Sequence, residues 1–355
     1  MLPKSANTAL AHLPAYVEHG GEIACRHPAD ALDTRMYGFV LEANQVLLDA
    51  FCDRCFNHPT GGAEHWTAAS GHVLLNFVDI PTMGSTDLLD RELGVCHEQE
   101  AAIWFPIVDR KRDRFAWAIP YMFVDSGLAM AGGREVYGFP KQLGTIEIPR
   151  TGEAPAALTL DTVTLRQYAP SEVATNTRVV TVERTGAALA LTTAWDNPVE
   201  AFREIMRLGA GSSLLDALGR VGGVTVELLF ERLRHLLPLE GGAFHDVAPE
   251  LLFFRQLIDE NIPMVLLKQF RDAHQQGAAC YQAVIEVGNA VLHTRAGGIL
   301  PNDYTVRIAE LDGEPITREL GLSPGPVSPL VAFWLEFDFL VHLGEILWEA
   351  PGARG

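Results

Sequence analysis

Short runs of alternating or continuous apolar residues cover most of the chain, separated by Gly, Pro, Asn and charged turns. That texture predicts strands. Residues 36–41 and 73–80 read as strands, with a helix between them at about 44–56 that stops before His58-Pro59. Residues 96–108 and 114–124 flank the polar turn Asp109-Arg110-Lys111-Arg112-Asp113 and predict a hairpin. Residues 145–148, 157–165 and 178–183 continue the pattern, which resumes at 264–270, 280–292 and 304–308. Two stretches differ. From about 199 to 258 the apolar residues recur at helical spacing (Leu214, Leu215, Leu218; Leu228, Leu229, Leu233, Leu236), which predicts a helical insertion. Residues 328–349, entered through Pro324, Pro326 and Pro329, predict a final amphipathic helix. Residues 1–32 lack periodicity and read as an N-terminal arm, leaving 33–355 as the folded domain. Strands joined by short turns pair antiparallel, because parallel pairs need long crossovers. The expected class is α+β, with an antiparallel strand-rich core that closes into a β-barrel and carries the insertion.

Charge narrows the function. Asp and Glu number 45 against 27 Lys and Arg, a formal net charge of -18. Such a surface repels phosphate backbones and anionic lipids, so neither nucleic acid nor membrane is an expected partner. The most apolar late stretch, residues 330–348, is interrupted by Glu336, Asp338, His342 and Glu345. Residues 1–20 show no basic start followed by an apolar run. Of five cysteines, Cys52 and Cys55 form a lone C-x-x-C that reads as two reduced thiols on a short helix, since tetrahedral zinc needs four ligands. A cytoplasmic protein is expected. The twelve histidines form no H-E-x-x-H, and no glycine-rich nucleotide loop follows a strand, so neither a metal nor a cofactor is expected. Gly209-Ala210-Gly211-Ser212-Ser213 reads as a helix start capped by a serine rather than a phosphate turn.

One pentapeptide carries chemistry: Tyr137-Gly138-Phe139-Pro140-Lys141. In water almost every lysine is an ammonium near neutral pH and is no nucleophile. Beside Phe and Pro in a dehydrated pocket the charged form is disfavoured, and a neutral amine can attack a ketone to form an imine. The same five residues also describe a surface lysine after a turn proline.

The wider segment Gly133-Arg134-Glu135 through Lys141-Gln142-Leu143-Gly144 resembles the active-site segment of the acetoacetate decarboxylase family. Asp33-Thr34-Arg35-Met36-Tyr37 resembles that family's early Arg-x-Tyr strand, and Cys96-His97-Glu98-Gln99-Glu100 its Tyr-x-Glu strand. The stretch from Met264-Val265-Leu266-Leu267-Lys268 through Val306-Arg307 resembles its late strands. The resemblance spans about residues 33 to 349. It implies a homo-oligomeric, cofactor-free lyase in which Lys141 forms the imine and Arg35 and Glu98 are the charged catalytic groups. Tyr137, Phe139 and Gln142 would line the substrate site. The implied partner is a small keto acid, most simply a β-keto acid such as acetoacetate or a larger homologue, which is decarboxylated. Aldolase or dehydratase chemistry on an α-keto acid through the same lysine, or a non-catalytic ligand-binding role, are the alternatives.

Three positions depart from the family pattern. Gln142 stands where the decarboxylases carry a second lysine, whose charge helps lower the pKa of the first; desolvation is then the expected means of activating Lys141. Val78 stands where a second acid belongs, with Asp79 beside it but on the opposite strand face unless a bulge intervenes. Tyr137 replaces the glutamine of the aldolase-like relatives.

Overall fold

The long strands are apolar on both faces, and this decides the architecture. In β1 (Ala29–Glu42), Met36 and Val40 turn one way while Tyr37 and Phe39 turn the other, and all four are buried. A strand with two apolar faces must be covered twice. The computed structural model describes residues 15–17, 25–109, 111–112, 114–192 and 261–351. The insertion expected at 199–258 lies outside these residues.

Coverage on one face comes from the sheet itself. The chain continues through β2 (Thr67–Ala68), β3 (His72–Ser85), β4 (Val95–Asp109), β5 (Arg114–Val124), β6 (Lys141–Leu143), β7 (Thr145–Glu147), β8 (Ala157–Thr164) and β9 (Thr175–Arg184). After residue 260 follow β10 (Asn261–Arg271), β11 (Ala279–Ile299), β12 (Tyr304–Ile308), β13 (Val331–Val341) and β14 (Glu345–Glu349). Pairing runs β4-β3-β1-β13-β11-β10-β5, and β5 pairs back to β4, so the ladder forms a ring. Met36, Val78, Trp104, Met264, Phe333 and Leu335 pack in one core cluster, inside that ring. The outer faces of β1, β3 and β4 present Tyr37, Phe77 and Phe105 to a second cluster. There they meet Leu160, Val180 and Val306 of the separate sheet β12-β9-β8-β7.

The hairpin β4–β5 forms as the sequence predicts, antiparallel from Asp109↔Arg114 to Glu100↔Val124 with one register shift. The sheet is nevertheless mixed rather than purely antiparallel. β5 pairs parallel with β10 at Met264↔Trp117 and with β6 at Met122↔Lys141. Helix α1 (Gln45–Cys52) begins at Asn44, whose side chain accepts from the Val46 amide, and continues into a wider π turn at Asp53–Asn57. Cys52 and Cys55 lie on this segment, where burial pushes both thiols above their ordinary range. Two short helices, α2 (Gly127–Gly132) and α3 (Ile316–Leu320), complete the set among the described residues. Among the described residues no helix is long and apolar enough to cross a membrane.

The final helix expected at 328–349 is not there; β13 and β14 occupy that stretch. In β13, Phe333, Leu335 and Phe337 fill the ring while Trp334 enters the outer core. Apolar residues on both sides of a strand form a near-continuous run, which sequence spacing cannot separate from a buried helix. Similarly, β1 starts at Ala29, so the last four residues of the expected N-terminal arm belong to the sheet.

Two adjacent buried residues on opposite faces give a test. Leu335→Ala and Trp334→Ala should each destabilise the protein by roughly 2–5 kcal/mol, measured as a fall in the denaturant midpoint. An amphipathic surface helix would leave one of the pair near neutral.

Candidate active site

The lysine segment is shaped before the lysine is reached. Helix α2 starts at Ser126, whose hydroxyl accepts from the Ala129 amide, and runs into a π turn at Gly133–Tyr137. Gly138 ends it in the left-handed region at φ 84°, with its amide donating back to the Gly133 and Arg134 carbonyls. A side chain there would also strike the Lys268 backbone, at 2.5 Å from its Cα. Glycine is the one residue that suits both conditions. The chain then extends through Phe139-Pro140 into β6, where Arg134 Nη1 donates to the Lys141 carbonyl at 3.0 Å. Gly133 has its own reason: a Cβ would sit 2.7 Å from Lys141 Cδ and 3.3 Å from Nζ. The side chain of Lys141 therefore lies along the bare backbone of Gly133.

From there Lys141 enters the ring. Its Nζ donates to Glu98 Oε1 at 2.6 Å, and both residues are buried, at 7% and 2% exposure. Glu100, two residues further along β4, is also buried and lines the same cavity. Residues two apart on a strand share a face. Burial is the largest influence on Lys141 and works against the ammonium. The charges of Glu98 and Glu100 and the hydrogen bond to Glu98 outweigh it, holding the amine above the ordinary lysine range. For Glu100 the balance is reversed. Burial first, and then the Glu98 charge, push its carboxyl up to about 8 against the pull of Lys141. Near neutral pH the site thus holds an ion pair, Lys141 with Glu98, beside a protonated acid, Glu100.

The cavity has a volume of about 210 Å³. Phe139 places its ring 5.7 Å from Lys141 Nζ, and His27 packs edge-on against Tyr137 at 4.8 Å. Burial, reinforced by the Lys141 charge, lowers the His27 pKa to about 4, so the imidazole is neutral. Met36, Val78, Trp104, Met122 and Met264 make the rest of the wall largely apolar. Among the described residues, no three His, Cys, Asp or Glu side chains gather as a metal-ligand set.

The family model of acetoacetate decarboxylase (ADC) matches residues 67–200, a stretch that contains Glu98, Glu100 and Lys141. The acetoacetate decarboxylase of Legionella pneumophila subsp. pneumophila str. Philadelphia 1 shares the fold at TM-score 0.54 and 12% identity, over 98% of both chains. An acetoacetate decarboxylase-like enzyme from Sphingomonas wittichii RW1 aligns at TM-score 0.52 and 12% identity, over 93% of this chain and 96% of that one. The enduracididine biosynthesis enzyme MppR, complexed with pyruvate, aligns at TM-score 0.51 and 13% identity over 91% of each chain. No curated protein matches by sequence. The chain shares the acetoacetate decarboxylase fold, and residues 67–200 match that family's model.

Within this acetoacetate decarboxylase-like ring the expected site residues divide. Lys141, Glu98, Tyr137 and Phe139 line one cavity. Tyr137 spends its hydroxyl on the His342 carbonyl at 2.7 Å and contributes its ring. Arg35 is not with them. It lies between Thr34 and Met36, and the alternation of β1 turns it to the outer face with Tyr37. There it pairs with Glu336 and donates to the Thr151 carbonyl at 3.0 Å. Gln142 likewise faces away, donating to Glu314 Oε2 at 3.1 Å. Asp79 stays on the outer face, held by Arg150, His97 and Gln99, and does not replace the acid missing at Val78.

A second carboxyl is nevertheless present: Glu100, which the pairing of β3 with β4 sets directly opposite Val78. In such a pair the two Cβ atoms lie about 4.5–5.5 Å apart. The alternation Cys96-x-Glu98-x-Glu100 was the available signal in the sequence. His27 offered none, since it precedes β1 in the stretch read as an irregular arm. The expectation that desolvation lowers the Lys141 pKa is also reversed, because two carboxyls occupy the space that solvent has left.

Two outcomes are expected. Gln142→Lys should leave the apparent pKa of Lys141 unchanged, since position 142 points at Glu314; a pH profile of imine trapping checks this. A carboxyl raised from the ordinary glutamate range to about 8 binds its proton more tightly in the folded state. Its stabilising effect is full below the unfolded pKa and is lost as pH rises through about 8. Wild-type stability should therefore fall across that window, by up to about 1.4 kcal/mol per pH unit for one proton. Glu100→Gln should flatten this slope in denaturant titrations between about pH 5 and 8.

Proposed function

We propose that this chain is a cofactor-free carbon–carbon lyase that decarboxylates a β-keto acid through an imine on Lys141. The observation that carries the reading is the buried pair of Lys141 Nζ with Glu98 Oε1, 2.6 Å apart in a cavity walled largely by apolar side chains. A stabilised ammonium cannot attack a ketone, so the amine must lose its proton as the substrate arrives. Glu98 is in hydrogen-bond contact and takes it. The amine nitrogen then bonds to the ketone carbon, giving a carbinolamine. Glu98 returns the proton to the leaving oxygen, and water departs to leave the protonated imine.

The protonated imine accepts the electron pair of the carbon–carbon bond as carbon dioxide leaves, forming an enamine. Glu100, which holds a proton near neutral pH, is the acid for the enamine carbon; water then hydrolyses the resulting imine and restores Lys141. The substrate carboxylate meets Glu98 across an apolar space, and no arginine is among the described residues lining the cavity. An anion so placed is poorly solvated, and losing it as neutral carbon dioxide relieves both burial and repulsion. In pyruvate aldol chemistry the carboxylate stays on the imine carbon throughout and needs lasting donors. The hydroxyl of Tyr137 is already committed to His342, which favours decarboxylation.

Lys268 is the competing nucleophile, since burial lowers its pKa. Its Nζ donates to the Val136 carbonyl at 3.2 Å, and the residue is absent from the cavity wall. Borohydride reduction in the presence of β-keto acids should add mass to the peptide containing Lys141, and Lys141→Ala should abolish the adduct. Glu98→Gln should cost about 10²–10⁴-fold in carbon dioxide release. Labelling at Lys268 would overturn the assignment. Condensation of pyruvate with an aldehyde, without enzyme-dependent carbon dioxide, would favour the aldolase reading; silence in both assays from folded protein would favour a binding role.

A further inference from the structure

The cavity is chemically lopsided. Its ionisable groups gather where Lys141 meets Glu98 and Glu100, and the inward face of β4 then carries Ala102 and Trp104. From Glu100 to Trp104 is four residues, or about 13 Å at strand rise. Around this length stand Met36, Val78, Met122, Ile262 and Met264, all of them at most 5% exposed. Acetoacetate would place its carboxylate and ketone beside the polar groups and offer this wall a single methyl.

From that mismatch we infer that the substrate is a 3-oxo acid with an apolar tail, of about five or six carbons in all, whose alkyl end points toward Trp104. The size follows from the volume: an apolar cavity of ~150 Å³ accepts benzene, so on that scale 210 Å³ holds about eight non-hydrogen atoms, close to the three oxygens and five or six carbons of such an acid. Three methionines in the wall suit the purpose. Their unbranched side chains follow the shape of a flexible chain more readily than branched ones do. The wall also explains why the cavity can lack a guanidinium: the tail supplies the binding, and the carboxylate can remain poorly held. The inference rests on the imine reading for its chemistry, but the tail site is a property of the wall alone.

Chain length is the variable to test. Carbon dioxide release should be followed with acetoacetate, 3-oxohexanoate, 3-oxooctanoate and 3-oxodecanoate. kcat/KM should rise by about fourfold per methylene, the transfer gain of one buried CH₂, as far as the six-carbon acid, and then level or fall. Trp104→Leu should move the optimum to longer chains. A variant that fails to fold is bypassed by inhibition of the wild-type protein with 2-alkanones, where 2-heptanone should bind at least a hundredfold more tightly than acetone. Equal or better turnover of acetoacetate would overturn the tail site while leaving decarboxylation intact. If no acid yields carbon dioxide or a Lys141 adduct, the imine reading fails instead. Binding of the two ketones then still decides the tail site: equal affinity overturns it, and preference for heptanone upholds it.

Discussion

The ion pair of Lys141 with Glu98 governs how the rest of the site is built. An ammonium drawn out of water loses several kcal/mol of hydration, and only a close, well-oriented counter-charge returns it. Removing one partner of such a pair costs about 3–5 kcal/mol, because the other is left charged and dry. The geometry must therefore be set by parts that do not yield. Arg134 holds the carbonyl of Lys141, the bare backbone of Gly133 clears a path for its side chain, and β6 is aligned by its parallel pairing with β5. Glu98 comes from β4, which pairs with the same β5 along most of its length. Lysine and glutamate are thus referred to one strand, and the tolerance of their contact is that of a ladder rather than of two loops.

This arrangement changes what activates the lysine. Dehydration alone would favour a neutral amine, as the sequence led one to expect, yet the glutamates on β4 reverse the direction. The resting site stores the proton instead of discarding it. In the proposed reaction an entering carbonyl would displace what solvation remains, with the 2.6 Å contact as the shortest route for the proton to leave. Glu100 completes the arrangement: burial first, and then the neighbouring charge of Glu98, keep its carboxyl protonated. One charged and one neutral carboxyl on the same strand face can serve opposite ends of one reaction cycle, and their environments assign the roles.

How much of this was legible depended on whether one residue or two had to be placed. The positions of most strands followed from apolar spacing, and the segment around Lys141 was picked out by Phe139, Pro140 and its resemblance to a family's active-site segment. Pairing was harder. The parallel contacts of β5 with β6 and β10 depend on neighbours distant in sequence, and β13 was read as a helix because both its faces are covered. Arg35 shows the same limit at the site. Being in the right strand is not being on the right face, and the alternation that buries Met36 inside the ring sends Arg35 outside to Glu336.

The same rule explains how the cavity holds a second acid although β3 offers it none. A shift of one residue along β3, from Val78 to Asp79, reverses the face and puts the carboxylate among Arg150, His97 and Gln99. A shift across the ladder, from Val78 to its partner Glu100, keeps the face and nearly keeps the place. Chemistry inside a ring of strands is constrained by face before it is constrained by strand. With Glu100 supplying the carboxyl from β4, the facing position on β3 is free to be the apolar Val78.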